Sequence, residues 1–351
     1  MRRSNMRTLA HTHPTLVPLK APNMVSTHKT IQPPELDEYQ RLDAILSLLY
    51  PSTVNLQRSQ VIFGHIHSLR LLTLSNGARL LLKTSPVAGT PLLRHERFFL
   101  ETEARFLALL GQSANPCVPQ LYHYDPEGSL LGSAYLVRQY VKGTSLLELQ
   151  SRITPEQRND VDRHLGFLAS TIAQNVAPAF GSLQQVAVRA GKRSWRDAFC
   201  ALFESVLRDA EDMFINLPYA EIRDEMSRLE SALEEVMFPR LVVVGFGRPS
   251  HVLLDERSKQ LSGVVDFSSA LWGDILMAEI FESPAPAVLE GAGMPLGRTK
   301  GEDIRLLMYS AYRLVSQITV QYYRNLDEPK EFDARRRLTA TIAKMGAMDP
   351  V

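Results

Sequence analysis

The stretch from Gln60 to Lys83 constrains the fold more than any other part of the chain. Strand-like runs around 60–63 and 69–74 lead into Ser75-Asn76-Gly77, and a third strand, Arg79-Leu80-Leu81-Leu82-Lys83, follows. Asn-Gly suits positive φ, so a tight type I′ hairpin is expected. Residues 42–50 before it read as a short amphipathic helix ending near Pro51, and 92–110 after it as a long apolar-periodic helix. Two more strands are expected at 120–125 and 134–141, separated by the turn-rich Pro126-Glu127-Gly128. Beyond Lys142-Gly143-Thr144-Ser145 the pattern becomes helical. Segments 155–176, 194–214, 219–237, 303–323 and 334–344 are periodic, the first capped by Thr154. The expectation is an α+β chain with a β-rich lobe over 39–141 and a larger helical lobe over 142–351.

With 351 residues the chain can bury a core in each of two lobes. Its net charge of +1 gives no general electrostatic reason to expect nucleic acid or an anionic membrane as a partner. No run of 18 or more apolar residues predicts a membrane span. Cys117 and Cys200 lack metal-ligand spacing and are expected as free thiols in a reducing compartment. Residues 1–38 read as a disordered leader. The first 34 hold no acidic residue and carry Arg2, Arg3, Arg7, Lys20 and Lys29. They lack the compact apolar core of a secretory signal and are only weakly amphipathic for an organelle presequence. A cytoplasmic location is expected, with organelle targeting by the basic leader as the alternative.

Chemistry concentrates in residues 241–274, LVVVGFGRPSHVLLDERSKQLSGVVDFSSALWGD. This segment resembles the catalytic core of the aminoglycoside phosphotransferase (choline-kinase-like) family. In that family a loop of pattern H-G-D-x-x-x-x-N precedes a strand, a turn and an I-D-F…G-D segment. Val265-Asp266-Phe267 and Trp272-Gly273-Asp274 match the second half. Aligned on His251-Val252-Leu253-Leu254-Asp255, the family's His falls on Val244, its catalytic Asp on Phe246 and its metal-holding Asn on His251. Lys83 and Glu103 resemble the kinase pair of strand Lys and helix Glu, in which the Lys holds nucleotide phosphates. The resemblance spans roughly residues 40 to 325 and implies a bilobal, protein-kinase-like fold. Arg94-His95-Glu96, Phe180-Gly181-Ser182-Leu183, Leu217-Pro218-Tyr219 and the Ala270-Leu271-Trp272-Gly273-Asp274 ending resemble a divergent fungal branch. Members of that branch are often encoded in secondary-metabolite gene clusters, which implies a role in natural-product biosynthesis.

The residues themselves argue against phosphoryl transfer. That reaction uses a carboxylate to accept or orient a proton, together with a divalent metal. Phe246 does neither, and a one-residue slip brings only Gly245 to its place. His251 is a poor stand-in for an amide oxygen, because Mg²⁺ prefers hard oxygen ligands. The loop around 63–68 offers one glycine and two imidazoles where a phosphate cradle uses several glycines. Neither a metal nor a cofactor is therefore expected. Val244 and Phe246 make the loop apolar, and Arg248, His251 and Asp266 supply a few polar groups, a combination suited to an apolar small-molecule substrate. Cyclisation or isomerisation, such as a Diels–Alder reaction, fits that description. Arg248, His251 or Lys83 would donate to an activating carbonyl, with Val244, Phe246, Asp266, Trp272 and Glu103 contacting substrate. Two alternatives remain open: a non-catalytic pseudokinase that binds nucleotide or a partner, and a residual ATP-dependent small-molecule phosphotransferase. A dry, roomy cleft favours the cyclase; a cleft plugged by Phe246 favours a silent scaffold.

Overall fold

The computed structural model describes residues 38–62, 64, 66–111, 115–324 and 327–351. The expected leader lies outside them except for Glu38, which opens helix α1 (Glu38–Leu49). Strands β1 (Leu56–Ile62), β2 (Ser68–Leu74) and β3 (Arg79–Thr84) follow, then helix α2 (Phe99–Leu110) and strands β4 (Leu121–Asp125) and β5 (Tyr135–Gln139). They form one antiparallel sheet in the order β1-β2-β3-β5-β4.

Alternation along these strands gives the sheet two different faces. Leu80, Leu82, Tyr135 and Val137 pack with Leu42, Ile45 and Leu46 of α1 in a small separate core. Leu81 and Lys83 of β3 take the other face, as do their partners Arg138 and Leu136 of β5. The hairpin turn differs from the expected type I′. Gly77 alone takes positive φ (81°), and its N–H donates to Leu74 O at 2.9 Å. Leu74 N–H in turn donates to Ala78 O. This is a three-residue loop closed by a left-handed glycine, which leaves Asn76 in an ordinary conformation with its side chain accepting from Ala78 N–H. The helix expected over 92–110 begins late. A 3₁₀ turn over Glu96–Phe98 precedes α2, and the residues before it fasten the helix elsewhere in the molecule.

The remaining elements are β6 (Thr144–Ser145), α3 (Leu146–Leu149), α4 (Pro155–Ile172), β7 (Gly181–Ser182), α5 (Leu183–Ala187), α6 (Trp195–Asp212) and α7 (Tyr219–Leu229). After them come β8 (Arg240–Val243), β9 (Val252–Leu254), β10 (Leu261–Val264), β11 (Ala270–Gly273), α8 (Pro286–Ala292), α9 (Lys300–Tyr323) and α10 (Glu328–Gly346). Thr154 caps α4 through a reciprocal box with Gln157, and Thr299 caps α9 with Glu302. The main hydrophobic core lies among these helices and reaches α2 through Phe106, Leu107 and Leu110. Two small antiparallel sheets, β10-β9-β6 and β7-β11-β8, set the ends of the segment 241–274. No helix among the described residues is long and apolar enough to cross a membrane. Cys117 and Cys200 are both free thiols.

Candidate functional site

Lys83 reaches from the open face of β3 to Glu103, one turn before Phe106 on α2. Its Nζ donates to Glu103 Oε2 at 2.5 Å, with both side chains buried. An exposed ion pair at a strand end contributes little, whereas a buried pair resists loss of either partner because the other charge is left uncompensated. Arg138 of β5 approaches the same carboxylate from the other side. Its Nε lies 3.2 Å from Glu103 Oε1, misaligned for a hydrogen bond.

Asp266 meets this cluster from β10. Its Oδ1 is 4.0 Å from Lys83 Nζ, and its Oδ2 is 3.6 Å from His251 Nε2. The Asp266 backbone sits at φ 67°, a left-handed conformation that costs a non-glycine residue energy and recurs at functional sites. Two Ser268 groups hold the carboxylate in that pose: Oγ donates to Oδ1 at 2.6 Å and N–H at 3.2 Å. Desolvation opposes the Asp266 charge, but Lys83, His251 and Ser268 outweigh it and keep the carboxyl below its usual range. Phe267 stacks on Phe106 with ring centroids 4.4 Å apart, so the segment after β10 and the helix carrying Glu103 are packed as one piece.

His67 closes the cluster from the start of β2. Its Nδ1–H donates to Thr84 O at 2.9 Å, while its Nε2 is buried without a hydrogen-bond partner. Burial and the Lys83 charge lower its pKa to about 4, so the ring is neutral at neutral pH. Gly64 is tightly placed there, since a Cβ on it would lie 2.4 Å from His67 O. The expected loop over 63–68 includes Phe63 and His65, which lie outside the described residues.

The loop between β8 and β9 has a different character. Val244 is 8% and Phe246 3% exposed, and both belong to the main core. Phe246 lies beside Ala169, Ile172, Leu241 and Ala278, around a hollow of about 10 Å³, barely the room of one water. The sequence reading placed Val244 and Phe246 on a ligand; instead their side chains complete the fold. Ser269 holds the loop's backbone, accepting from Val244 N–H through its carbonyl and from Gly245 N–H through Oγ at 3.1 Å. Gly247, at φ 90°, passes so close to Ile280 that a Cβ would lie 2.8 Å from the Ile280 Cβ. Arg248 donates through Nε to Glu279 at 2.6 Å. Trp272 is a core residue of β11, paired with Leu241 and Gly181. Asp274 is an anchor, accepting from Leu276 N–H, Arg305 Nε and Tyr309 OH.

Of the eight residues singled out from the sequence, Lys83, Glu103, Asp266 and His251 come together; Val244, Phe246, Trp272 and Arg248 serve the fold around them. Arg138, His67 and Ser268 join that cluster and are not singled out by the sequence reading. Arg138 had a readable signal, a lone charge in the apolar strand Tyr135–Gln139. The short motif Arg94-His95-Glu96 fastens α2. Arg94 pairs with Asp209 and Asp212 at the end of α6, and Glu96 pairs with Arg324 just past α9.

An antiparallel sheet crossed by a Glu-bearing helix, a Lys–Glu pair and an Asp-Phe segment ahead of helices together define a kinase-like fold. The chain belongs to the phosphotransferase enzyme family (APH), whose profile matches residues 64–277. No curated protein matches the chain. Among solved structures it resembles a provisionally named aminoglycoside phosphotransferase of Ralstonia eutropha JMP134, with TM-score 0.61 and 12% identity over 87% of this chain and 96% of that one. A thermostable mutant of aminoglycoside phosphotransferase APH(4)-Ia, in ternary complex with ADP and hygromycin B, gives TM-score 0.58 and 18% identity over 87% and 99%. The streptomycin–ATP–APH(2″)-IIa ternary complex gives 0.56 and 13% over 88% and 98%. At these identities the likeness concerns the fold.

The family implies a divalent metal, and the donor set here does not suit one. Asp266 contributes a single carboxylate already faced by Lys83, His251 and Ser268. His251, which the sequence alignment sets at the family's metal-holding position, offers an imidazole, and no group of three or more His, Cys, Asp or Glu side chains gathers among the described residues.

Proposed function

We propose that this protein is a pseudokinase: it binds the phosphates of a nucleotide at Lys83 and does not transfer them. The observation that carries the reading is the pairing of an intact Lys83–Glu103–Asp266 cluster with a phenylalanine, 3% exposed, in the position of the base. Buried charges are costly unless their surroundings compensate them, so a cluster of this kind is a weak device for stability alone. Lys83 has three N–H donors, of which one goes to Glu103, leaving others for an anion. The ADP and ATP complexes of the fold neighbours make a nucleotide the first ligand to test. This reading departs from the cofactor-free expectation of the sequence.

The cyclase reading loses its support on this geometry. It required Val244 and Phe246 to line a cavity, whereas both are core residues. The resemblance to a natural-product branch rests on short motifs with structural duties here. Arg94 and Glu96 hold α2, Phe180 and Leu183 pack in the core, and Tyr219 OH donates to Ile215 O.

A thermal-shift titration tests the proposal. ADP is expected to raise the melting temperature saturably in the wild type and in Lys83→Arg, but not in Lys83→Met, where Arg138 still faces Glu103. A rise of the same size in Lys83→Met, or none in the wild type, contradicts it.

A further inference from the structure

We propose that the cleft takes its nucleoside polyphosphate as a metal-free anion, with His251 excluding the divalent ion from the position where the family's pattern has an amide oxygen. The inference rests on the nucleotide-binding reading above. Three observations carry it.

The first is the state of the one carboxylate available. Asp266 Oδ1 accepts from Ser268 Oγ at 2.6 Å and from Ser268 N–H at 3.2 Å, and Lys83 Nζ lies 4.0 Å away. Its Oδ2 faces His251 Nε2 at 3.6 Å. Oδ1 is already engaged by Ser268 and faced by Lys83, so an entering cation has to displace those contacts or share Oδ2 with the His251 imidazole. The second is charge balance. Lys83 and Arg138 set two positive charges against the two negative charges of Glu103 and Asp266. Without Arg138 the cluster would carry one net negative charge and attract a dication; with it, that net attraction is absent. The third is ligand chemistry. Mg²⁺ demands hard oxygen donors in near-octahedral array, and His251 offers nitrogen. A free polyphosphate makes no such demand and gains directly from the Lys83 donors.

Magnesium then acts in solution rather than in the site. It chelates the nucleotide and withdraws the form the cleft accepts, so it weakens apparent affinity. The test is calorimetric titration of the full chain with ADP in EDTA and again in excess MgCl₂. Wild type is expected to bind more tightly in EDTA than in excess MgCl₂, and equal affinity overturns the exclusion of the metal. His251→Asn, a change at a partly exposed side chain, is expected to acquire binding about tenfold tighter with Mg²⁺ than without. Electron paramagnetic resonance of Mn²⁺ with ADP gives a second readout. The free-ion signal should survive addition of wild type beyond what ADP alone removes, and should fall with His251→Asn. Wild-type binding seen only with Mg²⁺ overturns this inference and leaves the nucleotide-binding reading standing. Indifference of His251→Asn to metal overturns the role given to His251. Absence of ADP binding to folded wild type in both buffers overturns the nucleotide-binding reading and this inference with it.

Discussion

The two sides of the candidate site differ in character. On one side the buried Lys83–Glu103 pair and the partly exposed Asp266 keep a mutually oriented charge cluster, flanked by Arg138, Ser268 and the Phe106–Phe267 stack. On the other, the loop from Val244 to His251 keeps its backbone path through Ser269 and Gly247 while its side chains turn to packing and local pairing. On the reading proposed above, binding and transfer are separable in this fold. Phosphate contacts need a cation on a rigid strand, whereas transfer needs a carboxylate at one loop position, and that position can be absorbed into the core without dismantling the strand.

The contrast can be broken most severely at Glu103. Glu103→Ala leaves Lys83 and Arg138 buried without their shared carboxylate and is expected to cost about 3–5 kcal/mol in chemical denaturation. A cost near that of an exposed pair would mean that the cluster is looser than the distances indicate. Phe246→Ala comes next, at about 3–4 kcal/mol, because it removes a ring from the core. A loss well below 1 kcal/mol would instead place that ring in an open cleft and revive the apolar-substrate reading. His67 gives a pH-dependent version of the same comparison. Its folded-state pKa, about 4, is below the ordinary value of 6.5, so the unfolded chain binds the proton more readily. The neutral ring's contribution is fully present above pH 6.5 and is lost as pH falls toward 4. The loss amounts to up to about 3 kcal/mol, and His67→Gln should flatten that part of the stability–pH curve. An unchanged curve would show that His67 is not buried beside Lys83. The smallest effect belongs to Arg248→Ala. Its pair with Glu279 is partly exposed, so the change should cost at most about 1 kcal/mol and leave ADP binding untouched.

Much of the fold was legible because its signals are local. The apolar run in Arg79–Thr84, the glycine at 77 and the cap Thr154 each act within a few residues. The hairpin type was misjudged because Asn-Gly serves a three-residue loop as well as a two-residue one, and only the φ of residue 76 separates them. In the site, Lys83, Glu103 and Asp266 stood out by motif. The direction of Phe246 did not, since a benzyl ring on a loop reads the same whether it faces a cleft or a core; α4 and β8 decide that from far away in sequence. Arg138 and Arg94 acquire their meaning from partners on other elements, Glu103 and Asp209, which a linear reading does not pair.

Phosphorus NMR of ATP mixed with stoichiometric protein, first in EDTA for binding and then in excess MgCl₂ for turnover, measures both halves of the contrast. The account predicts that the phosphate resonances shift or broaden on adding wild type and recover in Lys83→Met, while their integrals stay constant and no ADP or inorganic phosphate signal grows. Unperturbed resonances, or steady loss of the γ-phosphate signal with wild type, would contradict it.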